Sequence, residues 1–128
     1  LIEDQIEKGI PAHRIILAGF SQGGVITLHT ALQYPEKLAG IIALSTYFAT
    51  ADQVSETCHE NNKETPILLA HGILDPVVPF QLGSTAKERL TKMGYQVEWH
   101  QYQMMHEVCG EEISRISEFI QHLLTNGQ

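Results

Sequence analysis

A chain of 128 residues is long enough for one modest domain with its own core, and we expect a single domain over residues 1–128. Hydrophobic residues make up 43% and charged residues 18%, a balance that is typical of a globular protein and excludes a disordered one. Fifteen acidic against eight basic residues give a net charge of −7, and without a Lys/Arg cluster we expect no nucleic-acid partner.

Several further absences narrow the function class. The longest apolar runs, at 15–18 and 38–44, are too short to span a bilayer, and no secretory signal is visible, so we expect a cytoplasmic protein without membrane insertion. The only two cysteines, Cys58 and Cys109, are expected to be free thiols. Five histidines show no zinc-like spacing, so neither a metal nor a cofactor is expected: His13, His29, His59, His100 and His122.

Apolar patterning and turn residues predict alternating helices and strands. The expected helices cover 1–8, 23–34 and 80–93, with a closing amphipathic helix marked by apolar residues from 113 to 124. The expected strands cover 15–20, 38–44, 66–70 and 95–102, and the polar stretch 47–63 is expected to be a long loop or short helix. Nearly continuous apolar strands favour an α/β fold, with a mostly parallel four-stranded sheet flanked by helices on both faces.

The first expected strand runs into Gly19-Phe20-Ser21-Gln22-Gly23, a G-x-S-x-G pattern followed by a helix. This context is typical of a nucleophile elbow, a sharp turn that exposes the serine hydroxyl. Glycines are expected there because neighbouring atoms would lie too close for a Cβ. A glycine-rich turn that only joins a strand to a helix is the alternative. We interpret Ser21 as the nucleophile.

In parallel sheets, chemistry collects at the carboxyl ends of the strands. Asp75 follows the third expected strand and His106 the fourth, and the chain order Ser, Asp, His is that of an α/β-hydrolase triad. Asp75 alone could start a turn, and His106 could be a packed or surface residue. His71 competes for the role of base and is interpreted as a structural hydrogen-bonding residue. If Cys109 were the nucleophile, the turn that exposes the Ser21 hydroxyl would have no function, so Ser21 is favoured over Cys109.

Three segments of the chain resemble a known family, the bacterial carboxylesterases and phospholipase-like esterases related to acyl-protein thioesterases and lysophospholipases. The segments are 19–24, 71–79 and 106–109, and the resemblance runs over essentially the whole chain. It implies an α/β-hydrolase fold and a triad of Ser21, Asp75 and His106.

The chain departs from the family pattern at three positions. Gln103 stands where the family usually has proline, Met105 where it often has glycine, and Thr46 where the turn after the second strand usually reads Ser-Gly. The bulkier Met105 and Thr46 are expected to tilt the histidine loop or to narrow the acyl pocket.

The expected chemistry is hydrolysis of short to medium carboxylic esters, with lysophospholipids or thioesters as further substrates. His106 would act as base and acid and Asp75 would orient it, while the Gln22 backbone N–H would be one oxyanion donor. The second donor normally comes from a loop after the third strand of the whole fold. The acyl group is expected near four apolar residues, although such residues more often belong to the core: Phe48, Leu74, Val77 and Val78.

Family members are usually longer, with several strands before the elbow. A truncated α/β-hydrolase lacking the N-terminal part is therefore expected, and its elbow strand would expose an apolar edge that templates pairing with a second copy. A homodimer or higher oligomer follows. The alternative function is a non-catalytic or very weakly active hydrolase fragment that assembles as an oligomer. A dienelactone-type hydrolase is disfavoured, because its nucleophile would be a cysteine at position 21.

Overall fold

The fold was obtained as a computed structural model, which describes residues 2–126. Helices and strands alternate along these residues. The strands are β1 (Ile16–Phe20), β2 (Gly40–Leu44), β3 (Ile67–Gly72) and β4 (Val97–Tyr102). The helices are α1 (Ile2–Glu7), α2 (Gln22–Gln33), α3 (Ala51–Thr57), α4 (Phe80–Lys92) and α5 (Gly110–Asn126), with single 3-10 turns at Ala12–Arg14 and Glu60–Asn62.

The four strands form one parallel sheet in the order β1-β2-β3-β4. Each connection between neighbouring strands is a crossover that contains a helix: α2, α3 and α4 in turn. The prediction of a parallel four-stranded sheet flanked by helices is confirmed. Because all strands point the same way, their carboxyl ends meet at one edge of the sheet, and the loops that follow β1, β3 and β4 lie there together.

The core lies on both faces of the sheet. On one face, alternate residues of β2 and β3 pack with α2, α3 and α4, through Leu28, Leu32, Ile41, Val54, Ile67, Leu69 and Leu90. The opposite set of strand residues packs with α5, through Ile42, Leu44, Leu68, Ala70 and Phe119. β2 and β3 are fully buried, as their continuous apolar runs predicted, whereas β1 and β4 are partly exposed.

Several strand boundaries differ from the sequence prediction by one or two residues. The four strands begin at residues 16, 40, 67 and 97 in place of 15, 38, 66 and 95, and β3 also ends later. β3 continues two residues beyond its predicted end, because it stays paired with β4 as far as the Gly72–Tyr102 pair. β2 begins at Gly40 and not at residue 38, because the Leu38 backbone N–H donates to the Asn62 side chain at 2.9 Å and not to a neighbouring strand. Side-chain competition for a backbone donor is not visible in local apolar patterning.

The polar stretch 47–63 contains the short helix α3 and a 3-10 turn, so of the two predicted alternatives the short helix is correct. α5 begins at Gly110, earlier than the first apolar residue that marked it. None of the helices within residues 2–126 combines the length and the apolar character that crossing a bilayer requires.

Candidate active site

Ser21 occupies the sharp turn between β1 and α2. Its φ of 57° and ψ of −120° are unusual for a residue with a side chain, and its backbone N–H continues the sheet by donating to the Leu44 carbonyl at 2.9 Å. Ser21 is also the N-cap residue of α2, yet its side chain makes no capping hydrogen bond. A serine at this position normally caps the helix with its hydroxyl. The turn therefore leaves the Ser21 hydroxyl available to other partners.

The glycines around Ser21 do not all have the same function. A Cβ on Gly19 would collide with the Gly23 carbonyl and the Thr27 hydroxyl, and a Cβ on Gly24 would lie 2.6 Å from Thr46 Cβ. At Gly23, by contrast, a Cβ would meet no atom within 4 Å. The prediction that close neighbours exclude a Cβ is therefore correct for Gly19 and wrong for Gly23, because the first turn of α2 leaves open space there.

Asp75, His106 and Ser21 form one chain of hydrogen bonds. His106 Nδ1 lies 2.7 Å from Asp75 Oδ2, and His106 Nε2 lies 2.9 Å from Ser21 Oγ. An ionised carboxylate only accepts hydrogen bonds, so Nδ1 carries the proton that it donates to Asp75. In the neutral ring Nε2 is then an acceptor, and the Ser21 hydroxyl donates to it. The structure thus brings together the three side chains that the sequence singled out.

The Asp75 carboxylate is held on both oxygens. Its Oδ1 accepts hydrogen bonds from the backbone N–H groups of Val77 at 2.9 Å and Val78 at 2.8 Å, while Oδ2 faces His106. Burial by itself raises the pKa of Asp75, but the hydrogen bonds from His106, Val78 and Val77 outweigh it and lower that pKa below its ordinary value. Asp75 thus binds the backbone of the turn that follows it with one oxygen and faces His106 with the other.

The loops that carry Asp75 and His106 are tied to each other. The Leu74 backbone N–H donates to the Met104 carbonyl at 3.1 Å, two residues before His106. The Phe20 ring lies against the His106 ring, with centroids 4.7 Å apart and planes tilted by 41°. Met105 was expected to tilt this loop, but its side chain points outward, 56% exposed, and His106 still reaches both partners.

His71 lies within β3, and its side chain is almost fully buried beneath the Asp75 turn. Because a carbonyl oxygen can only accept, its Nε2 donates to the Val78 carbonyl, at 2.8 Å. The same nitrogen lies 3.6 Å from Asp75 Oδ2, beyond hydrogen-bonding distance. His71 therefore supports the turn that holds Asp75, as the structural interpretation predicted, and His106 is the histidine that faces Ser21.

Gln22, the predicted oxyanion donor, is the first residue of α2, so its backbone N–H is one of the unpaired donors at a helix N-terminus. The partial positive charge of that terminus favours a negative charge nearby. Thr46 lies behind the elbow, where its hydroxyl donates to the Ser21 carbonyl at 2.6 Å. The expectation that Thr46 narrows the acyl pocket is not supported, because this side chain is 3% exposed and packs against α2.

The four apolar residues expected near the acyl group are placed differently from one another. Leu74 and Val77 flank Asp75 and are 61% and 65% exposed. Val78 is buried, and its backbone holds Asp75 and His71. Phe48 packs against the core on the α2 face and lines a cavity of about 110 Å³ between α3 and α4. Leu74 and Val77 are thus the two of these side chains that are both open to a ligand and adjacent to the triad.

Larger cavities lie elsewhere in the fold. One of about 610 Å³ lies between β4 and α5 at the amino ends of the strands, lined by residues such as Pro66, Gln96 and Arg115. The triad lies at the opposite ends of the same strands. Within residues 2–126, no group of three metal-ligating side chains is close enough together to hold an ion.

Two features of the site were missed by reasoning from sequence. The hydrogen bond from Thr46 to the elbow joins residues 25 positions apart, and only the pairing of β1 with β2 brings them together. The available sequence signal was Thr46 itself, a hydroxyl residue that comes shortly after β2, the strand that pairs with β1. The contact of Phe20 with His106 joins the end of β1 to the loop after β4, which are the two outermost strands of the sheet, and no local sequence signal predicts it.

Known proteins are similar to this chain in sequence and in fold. The profile of the phospholipase/carboxylesterase family matches residues 1–124. The chain is 46% identical to acyl-protein thioesterase 1 of Neurospora crassa over 123 residues, which cover 94% of the chain and 50% of that protein. It is 36% identical to acyl-protein thioesterase 1 of Yarrowia lipolytica over 124 residues, or 94% of the chain and 55% of that protein. The chain spans about half the length of the curated relatives it matches.

Solved structures agree with these matches. Arabidopsis thaliana SOBER1 superimposes with a TM-score of 0.91 at 31% identity, covering 96% of this chain and 59% of that one. Esterase PE8 superimposes with a TM-score of 0.87 at 29% identity, covering 96% of this chain and 56% of that one.

Proposed function

Because the chain belongs to the phospholipase/carboxylesterase family, we propose that it is a serine hydrolase that cleaves carboxylic esters through an acyl-enzyme. The observation that carries the proposal is the continuous hydrogen-bond chain from Asp75 through His106 to Ser21. Asp75 and His106 lie at the distances that a base and its orienting group require, and the hydroxyl lies within reach of the base.

In the acylation step, the Ser21 oxygen attacks the ester carbonyl carbon while His106 Nε2 takes the hydroxyl proton. The ring then carries a positive charge, which the buried Asp75 carboxylate stabilises from the Nδ1 side. The negative charge on the former carbonyl oxygen is stabilised by the Gln22 backbone N–H at the start of α2. When the tetrahedral intermediate collapses, His106 returns the proton to the leaving alcohol or thiol. Water activated by the same nitrogen then releases the acid.

The substrate class is proposed from the surface beside the triad. Leu74, Val77 and Met105 expose more than half of their side chains next to Asp75 and His106, and Phe20 exposes 38%. Such a surface suits an acyl chain better than a charged group. The relatives named acyl-protein thioesterase 1 add thioesters to the candidates. We therefore propose acyl esters and acyl thioesters with an apolar chain as substrates.

Substitution of the triad tests this function. Ser21→Ala should reduce hydrolysis of p-nitrophenyl acetate and butyrate to the background rate, because no other group can form the acyl-enzyme. Asp75→Asn should lower kcat by roughly 10⁴-fold, because an amide in place of the carboxylate favours the wrong tautomer of His106. Asp75→Asn preserves side-chain size, and Ser21→Ala removes only the hydroxyl group.

The matched control is Ser55→Ala, which removes an exposed hydroxyl on α3 that binds only the Asp52 carbonyl within its own helix. It should leave the rate unchanged. A fluorophosphonate probe should label the wild type at Ser21 and should not label Ser21→Ala. If Ser21→Ala hydrolyses these esters as fast as the wild type, the proposed function is wrong.

The second candidate function is a hydrolase-like unit that turns over little substrate, because Gln22 is the one oxyanion donor that we identify among residues 2–126. A folded unit with an aligned triad but an incomplete oxyanion hole would assemble with another chain and turn over little substrate. Removing one oxyanion donor typically lowers turnover by about 10²–10³-fold. A soluble, folded wild type in which Ser21 does not react with fluorophosphonate would favour this candidate over the esterase.

A further inference from the structure

Thr46 is the second residue after β2 and donates its hydroxyl proton to the Ser21 carbonyl oxygen, at 2.6 Å. The same oxygen accepts the backbone N–H groups of Gly24 at 3.0 Å and Val25 at 3.3 Å, as the carbonyl before a helix usually does. A carbonyl oxygen has two lone pairs. The Ser21 carbonyl oxygen therefore accepts hydrogen bonds from the backbone of α2 and, in addition, from Thr46 in the turn after β2.

The Ser21 carbonyl and the Gln22 N–H belong to one peptide group. Because a trans peptide is planar, its N–H points opposite to its C=O. Anything that fixes the carbonyl toward α2 and Thr46 therefore fixes the N–H in the opposite direction, out of the helix N-terminus. Donating to the carbonyl also polarises the whole peptide group, which makes its N–H a stronger donor.

The packing around Thr46 leaves it little freedom to move. Ser45, directly before it, has a φ of 49°, so the chain turns sharply as it leaves β2, and the Ser45 N–H stays bonded to the Ala70 carbonyl at 2.8 Å. The Thr46 side chain is 3% exposed and fills the space over Gly24, where a Cβ would lie within 2.8 Å of three of its atoms. Thr46, which follows the positive-φ residue Ser45, thus donates one short hydrogen bond to the carbonyl of Ser21, whose φ is also positive.

We propose that Thr46 is a positioning residue for the oxyanion hole: its hydroxyl locks the Ser21–Gln22 peptide so that the Gln22 N–H faces the developing oxyanion. The inference rests on the proposed esterase function.

A pair of conservative substitutions tests the role of the hydroxyl. Thr46→Val keeps the branched shape and removes the donor, whereas Thr46→Ser keeps the donor and removes a methyl group. In Thr46→Val the Ser21 carbonyl still has the Gly24 and Val25 N–H groups as partners, so no buried acceptor is left unpaired. We expect kcat for p-nitrophenyl butyrate to fall about tenfold with KM nearly unchanged, less than the loss on removing a whole donor. Thr46→Ser should retain most of kcat.

Thr65→Val is the matched control. Thr65 is as buried as Thr46, and its hydroxyl bonds the Leu38 carbonyl at 3.3 Å and the Asn62 side chain at 2.8 Å, away from the triad. This substitution should lower the unfolding temperature and leave kcat unchanged. A general loss of buried hydroxyl bonds would lower kcat in both valine variants, and that result would overturn the positioning role.

The ¹⁵N chemical shift of the Gln22 amide reports the hydrogen bond from Thr46 to the Ser21 carbonyl without a measurement of catalysis. It should change in Thr46→Val and stay close to the wild-type value in Thr46→Ser, because the bond to the carbonyl polarises the peptide that contains this nitrogen. An unchanged Gln22 chemical shift in Thr46→Val overturns the inference. The inference is also overturned if the wild type is active and Thr46→Val has the same kcat. Failure of the esterase proposal differs from both: the wild type would then be no faster than Ser21→Ala.

Discussion

At the scale of single residues, the site depends on backbone conformation as much as on side-chain identity. Ser21 is the N-cap of α2, and in an ordinary N-cap its hydroxyl would turn back to the helix. With a φ of 57° the hydroxyl instead meets His106 Nε2. The close approach of α2 to β1 makes this conformation possible, and that approach depends on Gly19.

A matched pair of glycine substitutions tests this dependence. Gly19→Ala should destabilise the fold by about 1–3 kcal/mol, because the new methyl group overlaps the Gly23 carbonyl and the Thr27 side chain. Gly23→Ala should be neutral or stabilising by up to about 1 kcal/mol, because its Cβ enters open space and alanine favours the helix. Urea unfolding followed by circular dichroism measures both. Equal losses in the two variants would contradict the packing explanation.

At the scale of elements, the N-terminus of α5 contains an unusual buried acid. Glu112 lies in the first turn of α5, six residues after His106, and is 1% exposed. Neither of its carboxylate oxygens makes a hydrogen bond of ordinary geometry among the residues that the structure describes, although the Cys109 backbone N–H lies close enough to interact with the carboxylate. Burial raises the pKa of Glu112 to about 7, and the Cys109 backbone offsets that rise only in part.

This raised pKa predicts a dependence of stability on pH. In the unfolded chain Glu112 ionises near its ordinary pKa of 4.5. Between about pH 4.5 and pH 7 its carboxyl group is therefore mostly ionised in the unfolded state and mostly protonated in the folded state, so a rise in pH lowers the free energy of the unfolded state more than that of the folded state. Stability should therefore fall as pH rises through this window, by up to about 3 kcal/mol. Glu112→Gln, which is neutral and similar in shape, should raise the unfolding temperature at pH 8 and change it little at pH 4.

The control for Glu112 is its neighbour Glu111, which is in the same turn and exposed. In Glu111→Gln, the difference between the unfolding temperatures at pH 4 and pH 8 should be the same as in the wild type. If Glu112→Gln shifts the unfolding temperature equally at pH 4 and pH 8, the buried acid is not the source of the dependence.

At the scale of the whole molecule, the sheet is covered unevenly. β2 and β3 are buried on both faces, whereas β1 pairs with β2 on one side and has no other strand beside it among residues 2–126. Ala18 and Phe20 of β1 are exposed, and Ile16 is partly so. An unpaired strand with exposed apolar residues is a template for pairing with another chain.

We therefore propose that the 128-residue chain self-associates through β1 as a homodimer or higher oligomer. Light scattering coupled to size-exclusion chromatography at micromolar concentration should give a mass above that of one chain, 14.3 kDa. Ala18→Lys should shift the population toward the monomer, because a charge on this face is buried on pairing. A compact monomer at that concentration would refute the proposal. The exposed Ala49→Lys, in the loop after β2, is the control for the added charge.

Sequence patterns with a local cause predicted much of this protein. Apolar runs and turn residues located all four strands, and the G-x-S-x-G pattern located the elbow, because strand burial and sharp turns each act on a few consecutive residues. The positions of Asp75 and His106 followed from a rule about strand ends, which needs only the order of elements. Strand ends were less accurate, as at Gly40, where a distant Asn62 competes for the backbone.

Only the tertiary structure decided which side chains act together. It placed the Thr46 hydroxyl behind Ser21, buried Val78 beneath Asp75, and enclosed Glu112 without a hydrogen bond of ordinary geometry. Each of these depends on atoms from strands or loops that are remote in the chain, and the apolar or polar character of one residue says little about such neighbours. The sequence by itself determined the elements, their order and the candidate residues, because those depend on local backbone preferences. Distances, burial and pKa values required the assembled sheet.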